Sequence, residues 1–147
     1  MEHYPQTFTK AERITSKLLV DRLFDGGGAS FVAFPFRIVY MPIQKEDAPV
    51  SILISIPKKR FHHAVDRNRI KRQVRESYRL QKSIVWEAAE ENNISIAIAF
   101  ISIAQQHYPS NMIYKTVNKA LTQIADRIRK QTAKTDSKDT AQTANNQ

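Results

Sequence analysis

The sequence predicts a small α/β protein, because segments with a helical period and segments with a strand period alternate along its 147 residues. Val50, Ile52, Ile54 and Ile56 alternate with Ser51, Leu53 and Ser55, the two-residue period of a strand. Residues 94–104 (ISIAIAFISIA) form a continuous apolar run bounded by polar residues, which reads as a well-buried strand. Met112, Ile113, Val117, Ala120, Leu121, Ile124 and Ile128 recur at helical spacing and form the inner stripe of a last helix. A hydrophobic content of 41% suits one domain with a single core.

Taken in order, residues 9–24 carry the first helical pattern, with Ile14, Leu18, Leu19, Leu23 and Phe24 on one side. Thr9 is a candidate cap with Glu12 as its capping-box partner, and Gly26, Gly27 and Gly28 form the stop. Residues 31–41 alternate with Phe34, Phe36, Ile38 and Tyr40 on one face, and Pro35 marks an edge or a bulge. The polar residues 44–49 join this strand to the one at residues 50–56, so a hairpin is expected between them. Pro57 then delivers Lys58 and Lys59 to a loop before a second helix, for which His63 and Asp66 are both candidate caps. A polar connection through Glu90, Asn92 and Asn93 leads to residues 94–104, and the last helix runs over about residues 109–130. Residues 131–147 hold no large apolar side chain and balance two Lys with two Asp, so a disordered polar tail is expected after a domain of residues 1–130.

Charge is concentrated in one place. Ten of the 23 Lys and Arg residues lie in residues 57–82, opposed there only by Asp66 and Glu76, so this segment holds +8 of the net +9. At about 100° per residue, Arg67, Lys71, Arg75 and Arg79 follow in steps of four and share a side with Asn68 and Arg72. Ile70, Val74 and Tyr78 form a separate stripe, which predicts an amphipathic helix docked by its apolar side with the cationic ridge facing outward. Like charges at this spacing each destabilise a helix by a few tenths of a kcal/mol, so folding alone gives no reason to stack them. A merely solvated basic face would carry interleaved Glu and Asp, and here only Glu76 interrupts the ridge. The pattern points to a polyanionic partner, a nucleic acid.

Other chemistries find less support. The chain has no cysteine, hence no disulfide, no Cys-based zinc site and no thiol nucleophile. His62 and His63 are adjacent and their rings diverge, while His3 and His107 are not at ligand spacing from them. No paired carboxylates, Ser/His/Asp set or phosphate-binding glycine loop is visible, so a binding subunit is favoured over a self-contained nuclease. The N-terminus lacks an apolar stretch of signal-peptide length and the longest apolar runs elsewhere fall far short of a membrane span, so a cytoplasmic location without membrane association is expected. Phe24, Phe34, Phe36 and Tyr40 are core candidates that would stack on unpaired bases if they lined an open groove. A DNA-binding regulator would need paired half-sites or a dimer, and the sequence shows neither a heptad zipper nor a helix-turn-helix.

The segment KKRFHHAVDRNRIKRQVRE resembles the central signature of the bacterial ribonuclease P protein family. In that signature two lysines after a strand lead to Ala-Val, Arg-Asn-Arg, Lys-Arg and a final Arg. Here they are Lys58, Lys59, Ala64, Val65, Arg67, Asn68, Arg69, Lys71, Arg72 and Arg75. The resemblance extends over residues 9–130 in element order and implies an α+β two-layer sandwich with a left-handed β-α-β crossover, against the usual handedness. It also implies a subunit of the endonuclease that removes the 5′ leader of precursor tRNA, with the catalytic centre and Mg2+ held mainly by the RNA subunit. By the same likeness Lys58, Lys59, Arg60, Arg67, Asn68, Arg69, Lys71, Arg72 and Arg75 would contact the catalytic RNA. Val20, Phe24, Phe36 and Tyr40 would line a cleft for the single-stranded leader, Val20 standing where the family often carries an aromatic. The alternative is a ribosome-associated or assembly-type RNA-binding protein with no part in tRNA cleavage.

Overall fold

A computed structural model describes the backbone of residues 6–145 and the side chains of residues 6–131. It is an α+β sandwich built on one four-stranded mixed sheet. The strands are β1 (Ala29–Ala33), β2 (Phe36–Ile43), β3 (Val50–Ser55) and β4 (Ser95–Ser102). The helices are α1 (Lys17–Arg22), α2 (Ala64–Gln81), α3 (Ser83–Glu91) and α4 (Ser110–Asn145).

The spatial order is β1-β2-β4-β3. The apolar run 94–104 supplies β4, which pairs antiparallel with β2 and parallel with β3. A parallel pair needs a long crossover, and α2 and α3 provide it between β3 and β4. The hairpin expected between residues 31–41 and 50–56 is therefore absent, because β4, the most apolar strand, takes the place between them. Residues 31–41 are instead a hairpin in themselves: a turn at Phe34–Pro35 separates β1 from β2, which pair antiparallel from Ala33–Phe36 outward.

The first helical pattern is also divided. Lys10–Glu12 forms a single 3-10 turn, in which the Glu12 carboxylate accepts the Thr9 amide, and α1 starts afresh at Lys17 with Ser16 as its cap. Between them the chain runs alongside β3, where Ile14 N–H donates to the Ile52 carbonyl at 3.0 Å. The end of α1 widens into a π turn over Leu23–Gly27, closed by Gly26 at φ +90°, a conformation that favours glycine. A side chain at Gly28 would stand 2.8 Å from Val39, so glycine lets the chain pass close to β2.

The connection after α2 is the helix α3, which the sequence reading passes over as a polar link because the segment is short and ends in Glu90, Asn92 and Asn93. Val85, Ala88 and Ala89 are buried, and Arg129 of α4 donates to Glu91 at 2.9 and 3.2 Å, so tertiary packing holds a helix of nine residues that would be marginal alone. The backbone of α4 continues past Lys130 to Asn145, and no Gly or Pro follows Pro109 to stop it. The tail expected at residues 131–147 falls mostly outside the described side chains.

The two faces of the sheet are covered differently. On one, Phe36, Ile38, Tyr40, Ile96, Ile98 and Phe100 pack against α2, α3 and α4. On the other, Val39, Met41, Ala97 and Ala99 meet Ile14 and Leu23. Among the described residues no helix is long and apolar enough to cross a membrane.

Candidate nucleic-acid interface

Helix α2 docks by Ile70, Val74, Ser77, Tyr78 and Gln81, all buried. His63 is the cap residue, without a capping side-chain bond. The inner stripe turns Val65, Asn68, Arg69, Arg72, Glu76 and Leu80 outward, and all six are exposed. The row Arg67, Lys71, Arg75 and Arg79 does not face outward as the spacing predicted; it lies on the flank and is half-buried. The reason is that Ser77 and Gln81 join the inner stripe and rotate the helix away from the orientation that Ile70, Val74 and Tyr78 alone would set.

The two rows have different surroundings. Arg67 Nη1 donates to the carbonyls of Phe61 at 2.9 Å and His62 at 3.0 Å, which ties the helix start to the preceding loop. Arg75 Nε donates to the Lys71 carbonyl at 3.4 Å, and Arg79 pairs with Glu76 and donates to the Gln6 carbonyl. The hydrogen bond from Arg79 holds the Glu76 carboxyl below its ordinary range. In the loop, Arg60 Nη1 donates to the Ile103 carbonyl at 2.7 Å, whereas Lys58 and Lys59 are exposed. Arg69 and Arg72 have no hydrogen-bond or ion-pair partner among the described residues. Cations without intramolecular partners are free to take phosphate oxygens.

A groove of about 270 Å³ runs beside the flank row, lined by Lys71 and Arg75 together with Phe8, Arg13, Ile52, Leu53 and Ile54. It wraps the outer edge of β3, because Ile52 and Leu53 point to opposite faces of the sheet. A larger depression of about 460 Å³ adjoins it, but there Glu46 and Asp47 offset Lys10 and Arg13, so its wall carries no net positive charge. Beyond Leu53 lies the α1 side of the sheet, where cross-strand partners form three rows: Met41–Ala97–Ser51, Val39–Ala99–Leu53 and Arg37–Ile101–Ser55. The first row is buried near α1, whereas in the last Arg37 is exposed and Ile101 and Ser55 are half-buried. The face therefore opens step by step away from α1.

Of the four residues expected to line one cleft, Val20 is the one that packs with the side chains of this face. Val20 is half-buried in the small cluster under α1, and Phe24 is 45% exposed. Phe36 and Tyr40, 1% and 5% exposed, belong to the opposite face and are core residues. Phe36, Ile38 and Tyr40 do share a face, whereas Phe34 lies in the turn before β2 and is exposed, and the aromatic side of β2 is the one that α2–α4 seal. The open part of the other side carries Arg37, Leu53 and Ile101 instead, and the signal for it is a lone cation at an alternate position of an otherwise apolar strand.

A family model described as Ribonuclease P matches residues 8–129. A ribonuclease P protein component from Porphyromonas gingivalis is 36% identical over 127 residues, covering 84% of this chain and 92% of the relative. One from Chlorobaculum tepidum is 37% identical over 99 residues, 63% of this chain and 64% of the relative. Among solved structures, the Staphylococcus aureus RNase P protein aligns with a TM-score of 0.60 at 26% identity, covering 79% of this chain and 96% of that one.

Proposed function

The chain belongs to the ribonuclease P protein family, and from that membership we propose how its surface serves the tRNA-processing ribonuclease of which it is a subunit. The outward row of α2 (Asn68, Arg69 and Arg72), with Lys58 and Lys59 of the preceding loop, docks on the ribonuclease P RNA through its phosphates. The single-stranded 5′ leader of precursor tRNA passes along the groove at the edge of β3 and onto the open sheet face, between Lys71 and Arg75 on one side and Arg37, Leu53 and Ile101 on the other. The observation that carries this reading is the contrast within α2: exposed cations without partners stand on the same helix as the cations that line an apolar groove.

The chemistry assigned to the protein is electrostatic and positional. Among the described residues no three His, Asp or Glu side chains lie close enough to hold an ion, and the interface is cationic, so these residues do not fit Mg2+. In this reading phosphodiester hydrolysis and its Mg2+ belong to the RNA subunit. Neutralising phosphates where two polyanions meet lowers their repulsion, so assembly needs less bulk Mg2+. Six phosphate contacts would make affinity fall on the order of a thousandfold between low and moderate salt.

The experiment is precursor tRNA cleavage by the cognate ribonuclease P RNA at low Mg2+, with and without this protein, using leaders of several lengths. Rescue that grows with leader length and then levels off is expected. Tight RNA binding without rescue would support an RNA-binding protein with no part in cleavage.

A further inference from the structure

A buried ion pair fastens the N-terminal segment to the end of α2. Lys82 and Glu12 are 3% and 1% exposed, and Lys82 Nζ stands 2.5 Å from Glu12 Oε1. The same ammonium donates to the Thr7 carbonyl and lies 4.3 Å from the centre of the Trp86 ring, while the second Glu12 oxygen accepts the Thr9 amide. Phe8, between these anchors, packs edge-on against Tyr78 at 6.0 Å. A buried pair of this kind recovers little more than the cost of desolvating its two charges, and an apolar pair of similar volume would hold the fold as well. What the charges add is a fixed register for the residue that follows.

That residue is Arg13. Its backbone is bridged to Ile52 on the β3 edge, its guanidinium lies 5.4 Å from the Phe8 ring centre, and its exposed side chain lines the groove together with Lys71 and Arg75. We propose that the Glu12–Lys82 pair is a positioning device that holds Arg13 on the groove wall as a phosphate contact for single-stranded RNA, an inference that rests on the RNA-binding reading above. Three cations converging from two separate elements select an unpaired strand, which alone bends into a groove lined by Phe8, Ile52 and Ile54.

The test titrates the full chain with a short unstructured oligoribonucleotide over a range of salt. Arg13→Ala reduces the salt slope by about 0.7, the value for one phosphate contact on a single strand. Replacing Glu12 and Lys82 together by Met leaves the melting temperature near that of the wild type and produces the same reduction. Adding Arg13→Ala to that double variant costs nothing further, because the pair acts through Arg13; a merely structural role would give additive losses and overturns the proposal. Glu12→Gln provides the same non-additivity test in a second background should the apolar pair not fold. A flat wild-type slope removes the RNA-binding reading and this inference with it, whereas a normal wild-type slope left unchanged by Arg13→Ala overturns this inference alone.

Discussion

Phe36 and Arg37 are adjacent in β2 and live in different worlds. Phe36 faces the helices and is 1% exposed, with Phe100 edge-on at 6.3 Å, whereas Arg37 faces the half-covered side and is open to solvent. The same contrast recurs along α2, where Arg67 bonds two loop carbonyls and Arg72, five residues on, meets only solvent among the described residues. In both cases neighbouring positions differ by what the fold brings against them. A cation is available to RNA where the protein leaves it without a partner, so charge alone does not assign a residue to the interface.

The largest effect that sharpens this contrast is expected at Phe36. Phe36→Ala empties a sealed site and destabilises the protein by about 3–5 kcal/mol, a loss on the order of 10 °C in melting temperature. RNA affinity measured where the variant is still folded is unchanged. If melting is unaffected, the sealed face is not sealed.

Next comes the pair of arginines. Arg67→Ala removes two charge-assisted bonds that are partly screened by solvent, and chemical denaturation should show a loss on the order of 1 kcal/mol. Arg72→Ala leaves stability within about 0.5 kcal/mol and lowers the salt slope of binding to ribonuclease P RNA by about one. Equal stability losses in the two variants would erase the distinction between the rows.

Arg37→Ala probes the open sheet face. Its melting temperature stays at the wild-type value, and affinity falls a few fold, about the weight of one exposed phosphate contact, for precursor tRNA carrying a leader but not for tRNA without one. An equal loss with both ligands would move the leader path off this face.

The smallest effect concerns the surface pair between α3 and α4. The hydrogen bond from Arg129 holds the Glu91 carboxyl below its ordinary value. A carboxyl lowered in the folded state stabilises above its unfolded pKa and loses that contribution as the pH falls through the lowered value. Glu91→Gln should therefore lower the melting temperature slightly at neutral pH, with the difference from the wild type vanishing as the pH falls through the lowered value, and a loss of the same size at every pH would show that packing rather than charge is lost.

Much of the fold was legible in local pattern. The strands β3 and β4 and the helices α2 and α4 follow from periods of two and 3.6 in apolar residues that the core then buries. The charge excess of residues 57–82 and its likeness to the ribonuclease P signature were equally local. Less legible were the elements whose stability comes from elsewhere: α3 needs α4 beside it, and Arg13–Ile14 leave a helical pattern because the edge of β3 offers their backbone a partner.

By itself, then, the sequence determined which segments are apolar on one side, where the positive charge is concentrated and which family the pattern resembles. All of these are properties of residues a few positions apart. The tertiary structure alone decided which face of β2 is sealed, that β4 separates β2 from β3, and which cations of α2 are tied to backbone carbonyls. It also decided that Glu12 meets Lys82, 70 positions away. Alternation tells that two faces differ, but only the packing of distant elements determines which of them is left open.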